Sequence, residues 1–185
     1  DGIRDYKVTG VQTCALPISE LAACNPAELA ASRAVLEGVI SSLVELMHAR
    51  DPYTRGHQER VAALCRAIAS SMGLDDDRIE GLVVAALLHD IGKLTIGQEL
   101  LTKPTPLKPE EFALIKTHVQ TSFDVLAPIP FAWPVAKIVH QHHERLDGSG
   151  YPAGLRGDQI LLEAQILAVA DTVESMATEI GRAHV

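Results

Sequence analysis

From Asn25 onward the apolar residues recur at intervals of three and four, the spacing that places them on one face of a helix. Asn25, Pro26 and Glu28 form a start signal of the N-cap, N1 and N3 kind, after which Leu29, Val35, Leu36, Val39, Ile40, Leu43, Leu46 and Met47 predict a long helix to about Arg50. Asp51-Pro52 breaks it. Thr54 then caps a second helix with the face Val61, Leu64, Cys65, Ile68 and Met72, ending at Gly73. Asp75 opens a third, apolar nearly all round from Leu82 to Leu88, so deeply buried; His89 and Asp90 stand at its C-terminal end. Pro104 and Pro106 mark a loop, and Pro109 suits the first turn of a fourth helix carrying Phe112, Ile115 and Phe123, with His118 inside it. After Pro128 and Pro130 a fifth helix spans broadly Phe131 to Glu144, where Pro134 fits only near the first turn. The glycine-rich 147–157 stretch reads as a loop, and a sixth helix from about Gln159 to Ala177 carries Ile166, Leu167 and Val169 and presents Asp171. With no strand pattern and no internal repeat, the fold expected is all-α, a helical bundle.

The 185 residues suffice for one domain with a sizeable core, and the 47% hydrophobic content suits a soluble globular protein. The net charge of -8 argues against a non-specific grip on a nucleic acid polymer or an anionic membrane, both of which need a cationic face. A small anionic substrate would need local cations or a metal. Cys14, Cys24 and Cys65 form an odd set at no metal-ligand spacing, which fits a reducing cytoplasm better than a disulfide framework. The longest apolar run, Leu82 to Leu88, is far short of the ~18 residues of a membrane span.

The two ends differ in character from the rest. Residues 1–19 lack periodicity and an apolar signal-peptide core; VTGVQTCALPIS reads back to the translation of a common sequencing adapter, and EIGRAHV, Glu179 to Val185, to the same adapter on the other strand. Residues 1–19 and 179–185 are therefore set aside as adapter-derived, leaving 20–50 as a connector helix and 51–178 as the domain that carries chemistry.

Of eight histidines, His57, His89, His118, His140, His142 and His143 fall at the ends or interiors of the expected buried helices, with Asp90 and Asp171 as companions. Mixed imidazole and carboxylate ligands suit iron, manganese, zinc or nickel, whereas calcium and magnesium prefer oxygen alone. Taken singly, each has a plainer role: a histidine at a helix end as a cap, Asp90 as partner of Lys93, Asp171 as a solvent-facing acid. Asp90 at a helix C-terminus, however, is opposed by the macrodipole and follows the most apolar run in the chain; a nearby cation would remove that cost.

YTRGHQERV at 53–61, HDIGK at 89–93, the IKTH ending at His118, HHERLDGSGYP at 142–152 and the VAD ending at Asp171 together resemble the HD-GYP domains. The resemblance covers about 51–178, and the long HHERLDGSGYP string in its proper order is its most specific part. It implies an HD-type helical bundle and a metal-dependent phosphodiesterase that hydrolyses cyclic di-GMP. It also implies two divalent transition metals, iron or manganese, held by His57, His89, Asp90, His118, His142, His143 and Asp171, with Asp90 bridging. Lys93 would stabilise transition-state charge, and Gly150, Tyr151 and Pro152 would shape the substrate pocket while also turning the chain. His140 falls outside the ligand set, as a packing residue. Some members hold a third metal through a Glu four residues before the first His; Tyr53 stands there, so two metals are expected.

The chain departs from the family where an Arg-Pro-Tyr-Arg-like stretch usually follows the VAD helix. Smaller departures are Gly97, Thr105 and Ser122, the last where Gly is common; modest local effects are expected. Two rival functions remain: an HD hydrolase of nucleotides such as guanosine tetraphosphate, which would not need His142, His143 or the GYP loop, and a non-catalytic signalling module, which would be expected to lose metal ligands. An upstream sensor or receiver domain and a homodimer are further expectations of the resemblance.

Overall fold

The structure, a computed structural model, describes residues 25–50 and 56–178. Cys14, Cys24, Asp51, Pro52, Tyr53, Thr54 and His184, and the adapter-like ends, lie outside them. The chain divides into two units, Asp1–Val35 and Leu36–Val185. In the first, helix α1 (Pro26–Arg50) begins behind Asn25, whose side chain accepts the Ala27 N–H at 3.0 Å as an N-cap. The side chains of Pro26, Glu28 and Leu29 are not among those described.

Among the described residues of the second unit the regular elements are all helices, joined by turns and loops, apart from an isolated antiparallel bridge between Asp147 and Arg156. Within it α1 buries Ile40, Val44 and Met47, one narrow stripe, while Val39 and Leu46 from the broader expected face are about half exposed. The apolar positions of α1 fill two adjacent ridges, and only one of them meets the core.

Helix α2 (His57–Ser71) starts behind Gly56, whose φ of 73° lies in the left-handed region, with no side-chain cap. This replaces the cap expected at Thr54. Val61 and Cys65 are fully buried, and Gly73, at φ 76°, turns the chain so that the Leu74 N–H reaches the Ala69 carbonyl. Burial pushes the Cys65 thiol up to about 12, which leaves it unreactive. Helix α3 (Asp76–Leu88) is capped by Asp75, which accepts the Arg78 N–H at 2.8 Å, and runs through the centre, packed on α2, α6 (Val135–Gln141) and α7 (Leu162–Ala177). Its Leu82, Ala85, Ala86 and Leu88 are buried, as its all-round apolar sequence predicts.

Beyond α3 the chain tightens into a 3₁₀ turn, Ile91–Thr95, and then a short helix α4 (Gln98–Leu101) that lacks any periodic signal. Ile96, Leu101 and Ile115 form a small second core there. Helix α5 (Pro109–Leu126) has Pro109 in its first turn and the Glu111 carboxylate on the Lys108 N–H at 2.8 Å. Helix α6 is shorter than the expected 131–144 span. Pro134, lacking an N–H, takes the N-cap position, and the turn after Gln141 is drawn aside by Glu144, whose buried carboxylate accepts the N–H groups of Ala153 and Leu155 at 2.7 and 2.9 Å. On α7, Ile166 and Leu167 are buried whereas Val169 is 55% exposed, contrary to the expected face. None of the described helices is long and apolar enough to cross a membrane.

Candidate metal centre

Helix ends and helix interiors converge on one point in the second unit. His57 opens α2, His89 and Asp90 close α3, His118 lies within α5, His142 and His143 follow α6, and Asp171 sits within α7. All but His143 and Asp171 are buried to 3% exposure or less. Neighbouring imidazole centroids lie 4.0 to 5.6 Å apart along the series His57, His89, His142, His118, with His143 beside the last two.

The ligand-type atoms divide into two groups, each compact enough for one ion: His57, His89 and Asp90, and His118, His142 and His143. Asp90 reaches both, with Oδ2 3.4 Å from His89 Nε2 and Oδ1 3.5 Å from His118 Nε2. Asp171 Oδ1 lies 3.1 Å from His57 Nε2 and 3.8 Å from His89 Nε2. Lys93 Nζ donates to Asp90 Oδ2 at 2.8 Å.

The hydrogen bonds assign the tautomers. His89, His118 and His142 each set Nδ1 against the carbonyl three residues earlier, Ala86, Ile115 and Val139, at 2.6, 2.8 and 2.5 Å. A carbonyl only accepts, so each Nδ1 carries the proton and each Nε2 presents a lone pair. All three Nε2 atoms are buried without a protein hydrogen-bond partner. Leaving such groups unsatisfied costs free energy, and a transition-metal cation in each group is a partner that buried neutral imidazoles suit.

The electrostatics agree. Burial pushes the His118 imidazole down to about 4 against the opposing charge of Asp90, and burial with the neighbouring His118 pushes His143 down to about 3. His142 is held well below the usual range by burial, then by His143 and His89. These imidazoles are neutral at pH 7, as metal ligands must be. Burial opposes the charge on Asp90, but Lys93 and the surrounding imidazoles outweigh it and hold the carboxyl well below its ordinary value. Asp171 is likewise lowered against burial, chiefly by His57, while His57 is raised because Asp171, Asp90 and Glu174 outweigh its burial.

The GYP loop rests directly on this centre. A Cβ at Gly150 would collide with the His143 carbonyl, the Glu144 Cα and the Arg145 nitrogen, so only glycine lets the loop return so close to the backbone that carries His143. The Tyr151 N–H donates to the His143 carbonyl at 3.1 Å, and its ring stacks on the His143 ring at 4.7 Å. Lys116 Nζ lies 4.8 Å from the Tyr151 ring centroid. His140 stays apart, packed on Phe123 and 3.1 Å from Gln120 Oε1, beside an apolar groove of about 640 Å³ that contains none of the clustered residues.

Three residues had no role in the sequence reading. Glu144 holds the GYP loop as described. Ser122 Oγ accepts the Gly92 N–H at 2.8 Å and donates to the His89 carbonyl at 3.1 Å, fastening the HDIGK turn to α5. Glu174, one turn beyond Asp171, is hydrogen-bonded to His57 Nδ1. Only the spacing of Glu174 from Asp171 was open to sequence inspection, as a second acid on the same helix face.

The helical domain thus brings seven His and Asp side chains together, six of them in two groups that could each hold a metal ion and Asp171 beside the first. Residues 41–184 match the family model described as HD domain, and the chain belongs to that family, as its HD-GYP motifs implied. It is 38% identical over 154 residues to the Vibrio cholerae 3'3'-cGAMP-specific phosphodiesterase 3, covering 83% of this chain and 33% of that protein. It is 41% identical over 142 residues to a cyclic di-GMP phosphodiesterase of Thermotoga maritima, covering 76% and 39%. The chain thus spans between a third and two fifths of the length of these curated relatives. Among solved structures, Bd1817, an HDG"Y"P protein from Bdellovibrio bacteriovorus, matches with TM-score 0.59 and 29% identity over 66% of this chain and 40% of that one. The L. monocytogenes phosphodiesterase PgpH HD domain shares the fold at TM-score 0.56 and 22% identity, covering 73% of each chain.

Proposed function

We propose that this domain is the catalytic part of a metal-dependent phosphodiesterase that hydrolyses cyclic di-GMP, working in the cytoplasm with two divalent transition metals, iron or manganese. The observation that carries the reading is the division of the ligand-type atoms into two groups joined by Asp90. His57, His89, Asp90 and Asp171 would hold one ion and His118, His142, His143 and Asp90 the other. When bound, two such ions supply Lewis acidity toward phosphate oxygens and lower the pKa of water.

The protein's own contributions follow from its geometry. Asp90 keeps its charge through Lys93, and the Lys93 ammonium, half-buried beside the cluster, adds positive charge where a phosphodiester would gain negative charge. The GYP loop, with Tyr151 stacked on His143, forms a wall against which a substrate is oriented. The relatives named for cyclic di-GMP, and those named for cGAMP, support cyclic dinucleotides as the substrate class. His142, His143 and the GYP loop count against a guanosine tetraphosphate hydrolase, and the filled ligand positions against a non-catalytic module.

The test is hydrolysis of cyclic di-GMP, with cGAMP alongside, by the full chain loaded anaerobically with iron or manganese, beside a control carrying His89→Ala and Asp90→Ala. Metal-dependent turnover of cyclic di-GMP that disappears in the control is expected. Preferential turnover of cGAMP would overturn the substrate, and a chain that binds no metal would overturn the site.

A further inference from the structure

His57 differs from the other buried imidazoles of the cluster in how its far nitrogen is held. His89, His118 and His142 each donate from Nδ1 to the carbonyl three residues earlier. A residue at the first position of a helix has no preceding turn of that helix to offer such a carbonyl, and His57 is the first residue of α2. Its Nδ1 is met by Glu174 Oε2 of α7. Glu174 is 3% exposed and follows Asp171 by three residues, so one face of α7 presents a carboxylate to each nitrogen of the same ring. Asp171 meets Nε2 at 3.1 Å and Glu174 meets Nδ1. The second Glu174 oxygen accepts from Arg60 Nε at 2.6 Å, one turn along α2 from His57.

We propose that Glu174 is a positioning residue for the metal position formed by His57, His89 and Asp90, and that it sets the affinity of this position without acting on the position formed by His118, His142 and His143. The inference rests on the two-metal reading given above. The physical reason is the acceptor-only carboxylate: it fixes the proton on Nδ1, locks the ring plane and leaves Nε2 turned toward His89 and Asp171. The first position thereby depends on a side chain at His57, although its His89 rests on the Ala86 carbonyl, whereas His118 and His142 of the second rest on the Ile115 and Val139 carbonyls, which no side-chain substitution removes.

A purely structural Glu174–Arg60 ion pair between α2 and α7 would instead affect folding and leave metal affinities alone, or lower both together. The two are separated by titrating the metal-free full chain with cobalt(II) against a chromophoric chelator, comparing wild type, Glu174→Ala, Glu174→Gln and Arg60→Met, each checked for its helical circular dichroism. Wild type is expected to bind two equivalents. Glu174→Ala is expected to weaken one equivalent by about 10–100-fold and leave the other within about twofold of wild type. Glu174→Gln, whose amide oxygen still accepts the Nδ1 proton, is expected to fall between them in the same equivalent, and it carries the comparison if the alanine variant does not fold. Arg60→Met, which keeps the His57 contact, is expected to retain both equivalents. Equal affinities in wild type and Glu174→Gln, or a parallel weakening of both equivalents, would overturn the role of Glu174 while leaving the two-metal reading intact; a wild-type chain that binds no cobalt would overturn both.

Discussion

His118 Nε2 stands 3.5 Å from Asp90 Oδ1, across the gap between α5 and the end of α3. This contact joins the two ligand groups, because the other Asp90 oxygen faces His89. Replacing Asp90 by alanine is therefore expected to weaken both metal equivalents, each by at least about 100-fold, whereas His143→Ala weakens mainly one. Metal analysis after dialysis against a fixed free-ion concentration checks this. Chelation of the wild-type chain is expected to lower its melting temperature by roughly 5–10 °C from the value at 100-fold excess of metal over Kd; an unchanged melting curve would count against a folded-state metal site.

The metal-free chain is expected to be acid-labile. His118, His142 and His143 have folded-state values below that of an ordinary histidine, so below about pH 6.5 the unfolded chain binds protons that the folded chain does not, and stability falls as pH drops. His118, lowered to about 4, contributes on the order of 3 kcal/mol across that window. Asp90 and Asp171, also lowered, extend the loss below about pH 4. His57 is raised and acts in the opposite sense, stabilising below about pH 6.5 and losing that contribution as pH rises through its folded value. Thermal melts from pH 7.5 to 4 should fall in midpoint; a flat or rising profile would show that these imidazoles are not buried neutral.

The HDIGK turn has no room for a side chain at Gly92, where a Cβ would meet the His118 carbonyl and both the nitrogen and hydroxyl of Ser122. Gly92→Ala is expected to cost about 1–3 kcal/mol and, by pushing the turn off α5, to separate Asp90 from His118 and weaken metal binding. Ser122→Ala leaves the Gly92 N–H buried without its acceptor and is expected to cost about 1–3 kcal/mol, more than the modest effect anticipated for a residue standing where glycine is common. Chemical denaturation of the two variants measures both.

Glu144 holds the GYP loop through the N–H groups of Ala153 and Leu155. Glu144→Ala is expected to release the loop and the Tyr151 ring from His143 while leaving the ligand atoms in place. Turnover should then fall by on the order of 10–100-fold in kcat/KM with two metal equivalents retained. A matching loss of metal would place Glu144 among the supports of His143 instead.

The sequence by itself determined the longer helices and the identity of the His and Asp residues that cluster among the described ones. The apolar period marked α1, α2, α3, α5 and α7, because burial of one face imposes that spacing whatever the partner, and the ordered HD-GYP motifs named every His and Asp that the fold brings together. Short α4 and the early end of α6 were not legible, since four- and seven-residue helices span only about one and two turns, too few for an apolar period to mark their bounds. What only the tertiary structure decided is the sorting of the ligand-type side chains into two groups and the supports behind them. His57 and Glu174 are 117 positions apart, and Ser122 lies 33 positions from the His89 carbonyl it bonds. Such contacts have no periodic signature along the chain; they exist only because α2 and α7, and the HDIGK turn and α5, are packed face to face.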